Sequence, residues 1–146
     1  MLSKRFLFSW ILSAIFMFAI SYIWHGLFLN DIKNLKYPMG IFLTSAAFVY
    51  LAIGFVLVKL FSSDMVITLI RHFFLRGLVV GAASGLLLYM IALVLGVTFT
   101  KSITLTSIIV DVPWQVFEQV VGGIVISTVY ALIYEPLLIN RSEEKV

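Results

Sequence analysis

Cysteine is absent from the 146 residues. Disulfides, thiolate chemistry, iron–sulfur ligation and cysteine-type zinc sites are therefore excluded, and the redox compartment leaves no trace. Charge is scarce. Asp, Glu, Lys and Arg make up 12% of the chain, against ~25% in an ordinary soluble domain. Hydrophobic residues reach 62%, against the usual ~45–50%. Both fractions are displaced in the direction a bilayer demands, and the length leaves room for one domain only. The sequence also lacks a phosphate-binding loop, a Gly-x-Ser-x-Gly elbow and a His-Glu-x-x-His zinc motif. No nucleophile–base pair stands out, though acyl transfer is not excluded; a non-enzyme without a cofactor is the preferred reading, and a membrane enzyme acting on a lipid is the third-ranked alternative. Histidine is limited to His25 and His72. They fall near opposite ends of a hydrocarbon core ~30 Å thick, which excludes a haem held by both within one chain.

What is present is four long apolar runs. They predict an all-α integral membrane protein, a short-looped four-helix up-down bundle with spans at about 6–28, 37–61, 77–99 and 112–134. Pro38 and Pro113 suit first helical turns, where the missing N–H has no partner in any case. Segment 64–76, capped by Ser63, is predicted as an interfacial helix or an extension of span three. The first run follows Lys4-Arg5 and resembles a signal peptide in outline. It is longer than a usual apolar h-region and meets Trp24-His25-Gly26 instead of a small-residue cleavage site, so it reads as a retained span.

The net charge of +3 forms no stripe, and nucleic acid is not an expected partner. The basic residues instead report topology and contact with the lipid bilayer. Lys4, Arg5, Lys59, Arg71, Arg76, Arg141 and Lys145 fall on one side, and only Lys33, Lys36 and Lys101 on the other. This places both termini in the cytoplasm, across a bacterial inner membrane. His72, beside Arg71, reads as a head-group residue. The triplet Asn140-Arg141-Ser142 has the form of a glycosylation site but falls on the excluded side. Spans two and four also align, Pro38 on Pro113, Phe42 on Phe117 and Ala47 on Gly122, which suggests a parallel repeat of two hairpins.

Lipid is as apolar as leucine, so close packing and interhelical hydrogen bonds must hold such a bundle together. Gly77, Gly81 and Gly85 recur every fourth residue and make one smooth helix face, and Gly122-Gly123 offers another. Packing within the chain, a homo-oligomer contact and room for a ligand would all use them.

Polar residues inside the spans are few and therefore informative. Asp111, Gln115, Glu118 and Gly122 follow three- and four-residue spacing and share a helix face. With span four starting near Val112, Glu118 lies roughly 10 Å past Asp111 along the helix. An unpaired ionisable group near the membrane centre costs at least ~2.5–3.5 kcal/mol, so Glu118 should be paired, protonated or facing water. His25, near the outer end of span one, is the expected partner, with Ser21 one turn before it. Thr44 and Ser45 of span two reach a comparable level. Trp24 and Trp114 would form a lid or belt. The predicted pocket is thus Ser21, Trp24, His25, Asp111, Trp114, Gln115 and Glu118. It reads as a structural pair, as a site for a small solute, ion or proton, or as a metal site built from His25, Glu118 and Asp111.

Two segments carry a resemblance: Phe8–Phe28, ending in Trp24-His25-Gly26-Leu27-Phe28, and Ile109–Ser127, with Asp111-Val112-Pro113-Trp114-Gln115 and Gly122-Gly123. They resemble small bacterial four-span membrane proteins of a family of unknown function, in which helix one ends on tryptophan followed by an aromatic residue or histidine. This chain has histidine where tyrosine is more usual, and Glu118 has no counterpart in the pattern. The resemblance implies the topology and no activity. The expected function is a pocket near the outer face that binds or passes a small solute, ion or proton. A non-catalytic membrane subunit or assembly factor, whose polar residues only lock helices, is the alternative.

Overall fold

The computed structural model describes residues 3–28, 38–100 and 105–133, and every long element among them is helical. Helix α1 (Lys4–Tyr22) starts where the Ser3 hydroxyl accepts the Phe6 amide at 3.2 Å. It continues into a π-helical turn over Ile23–Phe28. Helix α2 (Met39–Phe61) follows Pro38. Helix α3 (Asp64–Leu69) is a six-residue piece capped by Ser63, and α4 (Phe73–Thr100) and α5 (Leu105–Leu132) complete the set. Four helices are long and apolar enough to cross a membrane: Lys4–Phe28, Met39–Phe61, Phe73–Leu95 and Ile108–Leu132.

Three boundaries differ from the sequence expectation. The predicted helix over 64–76 is broken at Ile70, which is extended (φ −130°, ψ 92°). The carbonyls of Ile70 and Arg71 turn instead to the Arg76 guanidinium, at 2.8 and 3.2 Å. Span three then begins at Phe73. Helix α5 starts at Leu105, so Pro113 lies inside it. Lacking an N–H, that proline leaves the Ile109 carbonyl without its usual helical partner, a defect membrane helices tolerate. The proline alignment behind the suggested repeat therefore joins unlike positions, a helix entry at Pro38 and a helix interior at Pro113.

Neighbouring helices run antiparallel, as in an up-down bundle. Helix α1 lies between α2 and α5, and α4 packs on α5. Along α1 and α2, Phe6 meets Phe55 edge-on and the Trp10 indole donates to the Leu51 carbonyl at 2.6 Å. A Cβ on Gly54 would lie 3.2 Å from both the Ala14 Cβ and the Trp10 carbonyl. Along α4 and α5 the contact is backbone on backbone. A Cβ on Gly77 would collide with Ser127 Oγ and the Gly123 carbonyl, and one on Gly81 would come within 2.5 Å of the Gln119 carbonyl. The glycine face predicted on span three is thus occupied by α5 of the same chain. Phe6, Met17, Leu57, Val58, Phe61, Val80 and Ile126 form the apolar core.

Every Lys and Arg among the described residues (Lys4, Arg5, Lys59, Arg71 and Arg76) sits at one end of the helices, the basic end. Lys33, Lys36, Lys101, Arg141, Lys145 and the Asn140 triplet lie outside the described residues. Arg76 departs from the expectation of routine surface charge. It is 4% exposed, with its guanidinium 5.1 Å from the Phe61 ring centre and 5.2 Å from that of Phe73.

Candidate functional site

Helix α5 presents Trp114, Glu118 and Gly122, four residues apart, toward α1 and α2. At Gly122 the missing side chain makes room for Met17 and Leu57, whose atoms would lie 2.5 and 3.1 Å from a Cβ there. At Trp114 the indole stacks on Trp24 with ring centres 4.1 Å apart and planes 12° from parallel. Trp24 belongs to the π-helical turn, a wide turn found mostly as local bulges at functional positions. The tryptophans therefore close the bundle between α1 and α5 on the side away from the basic end.

Glu118 lies between these two contacts and is 1% exposed. Its carboxyl meets the hydroxyls of Ser21 on α1 and Tyr50 on α2, and those hydroxyls also meet each other. The result is a three-residue polar knot joining three helices. Oxygen Oε1 of Glu118 has no partner among the described residues. Because α5 starts at Leu105, Glu118 sits ~20 Å along it, near the middle of the span and not near an interface.

A cavity of about 280 Å³ opens between the far halves of α1 and α2. Ser21, His25 and Tyr50 are its polar wall, and Phe18, Tyr22, Phe42 and Ala46 its apolar one. Glu118 stands directly behind Ser21 and Tyr50. Of the predicted pocket, the fold brings together Ser21, Trp24, His25, Trp114 and Glu118 in this region. His25 shares the cavity wall with the two hydroxyls that hold Glu118.

Asp111 and Gln115 do not line this cavity and have α4 beside them. The charge of Asp111 acts on Tyr89 of α4. The Gln115 carbonyl would lie 2.9 Å from a Cβ on Gly85 of the same helix. Asp111 and Glu118, seven residues apart, are thus divided between two neighbours of α5. Among the described residues no three His, Asp or Glu side chains gather into a metal-ligand set, and the His25–Glu118–Asp111 metal site is not formed.

Two participants were not singled out by sequence. Tyr50 is the larger omission. Its signal was a phenol deep in an apolar span, where a buried hydroxyl needs a partner. Gln119 is fully buried, and both its side-chain amide atoms lack partners among the described residues. The indole nitrogens of Trp24 and Trp114 are in the same condition. Unmatched buried polar groups are rare, and here they concentrate around Glu118.

No family model, curated protein or solved structure matches the chain. The chemistry of the Glu118 region is accordingly the ground for a functional reading.

Proposed function

We propose that the protein lies in the bacterial inner membrane with both termini cytoplasmic, and that Glu118 binds and passes a proton exchanged with the outer side. The observation that carries this is a carboxyl at mid-membrane, held by the Ser21 and Tyr50 hydroxyls, behind a cavity that His25 also lines. Hydroxyls are both donors and acceptors. They donate to the carboxylate and accept from the carboxylic acid, so either state of Glu118 keeps its partners. The unpartnered Oε1 gives a proton a second place to arrive. A cavity of about 280 Å³ has room for several waters at ~30 Å³ each. A histidine on its wall supplies a second group able to relay protons. Other small solutes or ions would enter by the same route, but the donor set around Glu118 favours the proton.

A second reading rests on the fact that Glu118 ties α1, α2 and α5 together. On that reading the knot is a helix lock in a non-catalytic subunit. Liposomes that contain the protein and a trapped pH-sensitive dye separate the two. The wild type should dissipate an imposed pH gradient faster than protein-free liposomes, and Glu118→Gln should return to the protein-free rate while its thermal midpoint falls by only a few degrees. Unchanged flux in the variant would remove Glu118 from the pathway. A wild type that conducts nothing, with a variant that melts much earlier, would leave the lock.

A further inference from the structure

A groove of about 480 Å³ opens at the basic end, between the first turn of α4 and the last turns of α5. Phe73 and Phe74 form one wall, Ala131 and Leu132 the other, and Arg71 and His72 stand at the rim. Ser127 and Thr128 lie on its floor, but their hydroxyls are already engaged. Ser127 donates to the carbonyls of Phe73 and Gly123 at 3.0 and 2.9 Å, and Thr128 to that of Ile124 at 2.9 Å. The floor is therefore apolar in effect, and among the described residues the basic side chains bordering the groove are Arg71 and His72.

The rim is built, not incidental. Buried Arg76 directs its Nε to the Ile70 carbonyl and a terminal nitrogen to the Arg71 carbonyl. Its partners are main-chain oxygens and the rings of Phe61 and Phe73, where a carboxylate would be the ordinary choice. These bonds fix the extended segment between α3 and α4. They hold the exposed side chains of Arg71 and His72 at the mouth of the groove.

We infer that this groove binds one anionic phospholipid, with the phosphate on Arg71 and His72 and an acyl chain along Phe74, Ala131 and Leu132. Guanidinium pairs with phosphate in a forked geometry, and the methylene chain suits walls of Phe, Ala and Leu. Basic residues of a membrane protein attract the anionic lipid of the leaflet they face, and every described Lys and Arg is at this end. A free phosphate would satisfy the rim and leave the apolar walls without an occupant. The inference is independent of Glu118.

Native mass spectrometry on the full-length protein in detergent tests it, with phosphatidylglycerol and phosphatidylcholine of identical chains. The wild type should retain phosphatidylglycerol preferentially. The double variant Arg71→Ala/His72→Ala should lower that occupancy roughly tenfold, while Lys59→Ala, an exposed cation outside the groove, leaves it near wild type. Ala131→Trp keeps the charges, fills the groove and should also displace the lipid. Equal retention of the two lipids overturns the inference, as does a Lys59→Ala loss equal to that of the double variant. Displacement of phosphatidylglycerol by millimolar inorganic phosphate would reduce the groove to a simple anion site. Should the double variant not fold, Ala131→Trp decides alone.

Discussion

Glu118 stood out in the sequence because a carboxylate inside an apolar run is costly, and its neighbour Ser21 followed from helical spacing and matched depth. Tyr50 did not, for a geometric reason. Placing the start of span four at Val112 instead of Ile108 makes Glu118 appear four residues, about 6 Å, too shallow. At that depth the level matched on α2 is that of Thr44 and Ser45. In the fold both are exposed, and the Thr44 hydroxyl donates to its own helix at the Gly40 carbonyl. The residue level with Glu118 lies more than a turn deeper, at Tyr50. Tyr50→Phe deletes the phenol while leaving Ser21 on the carboxyl. It should cost about 0.6–1.5 kcal/mol in an unfolding titration, the range for hydrogen bonds between membrane helices and in proteins generally. Because the Ser21 and Tyr50 hydroxyls also meet each other, Ser21→Ala and Tyr50→Phe should not add. A coupling above ~0.5 kcal/mol in the double-mutant cycle is expected, whereas strict additivity would dissolve the three-residue knot into independent contacts.

Among the elements, the α4–α5 pair was the most legible. Gly77, Gly81 and Gly85 announce close approach by their period alone. What the period could not identify was the partner, because a second copy of the chain and a neighbouring helix present the same chemistry to a row of glycines. The fold places Gly123, Gln119 and Val116 of α5 against that row. The corresponding contact at Gly54, against Trp10 and Ala14, gave no periodic signal, since α2 carries one glycine there and not a series. Backbone cannot rotate away as a side chain can, so a methyl at Gly77 must push α5 outward. Gly77→Ala should cost about 1–3 kcal/mol, the usual range for overpacking, or more if the shift spreads to Ser127. Gly40→Ala is the matched control: a Cβ there meets nothing within 4 Å. That change should be neutral or slightly stabilising, because alanine is the better helix former. Thermal denaturation of the two variants in one detergent provides the comparison. Similar losses at both positions would mean that helix propensity, and not close packing, sets the stability of the pair.

The whole molecule combines two unlike ends with one uneven seam. Helices α1, α5 and α4 are joined in sequence by close contacts, whereas α2 and α4 leave an apolar groove lined by Val56, Leu60, Leu87 and Leu88. Lipid can fill such a seam without cost, so it needs no polar repair. At the basic end, Arg76 and its aromatic neighbours close the bundle; at the other end, the stacked tryptophans close one side and leave the cavity between α1 and α2 open. This polarity makes the orientation of the molecule testable together with its function. The absence of cysteine allows single cysteines to be read without background. Leu27 and Met65 are 72% and 71% exposed at opposite ends, and Leu43 lines the cavity. A membrane-impermeant maleimide applied to intact spheroplasts should label Leu27→Cys at once and Met65→Cys only after permeabilisation. Labelling of both from one side would overturn the four-span topology. Leu43→Cys should react from the same side as Leu27→Cys, though more slowly because its side chain is half-buried. If Leu43→Cys reacted only from the side of Met65, the cavity would open toward the basic end, and a proton reaching Glu118 would have to come from the cytoplasm.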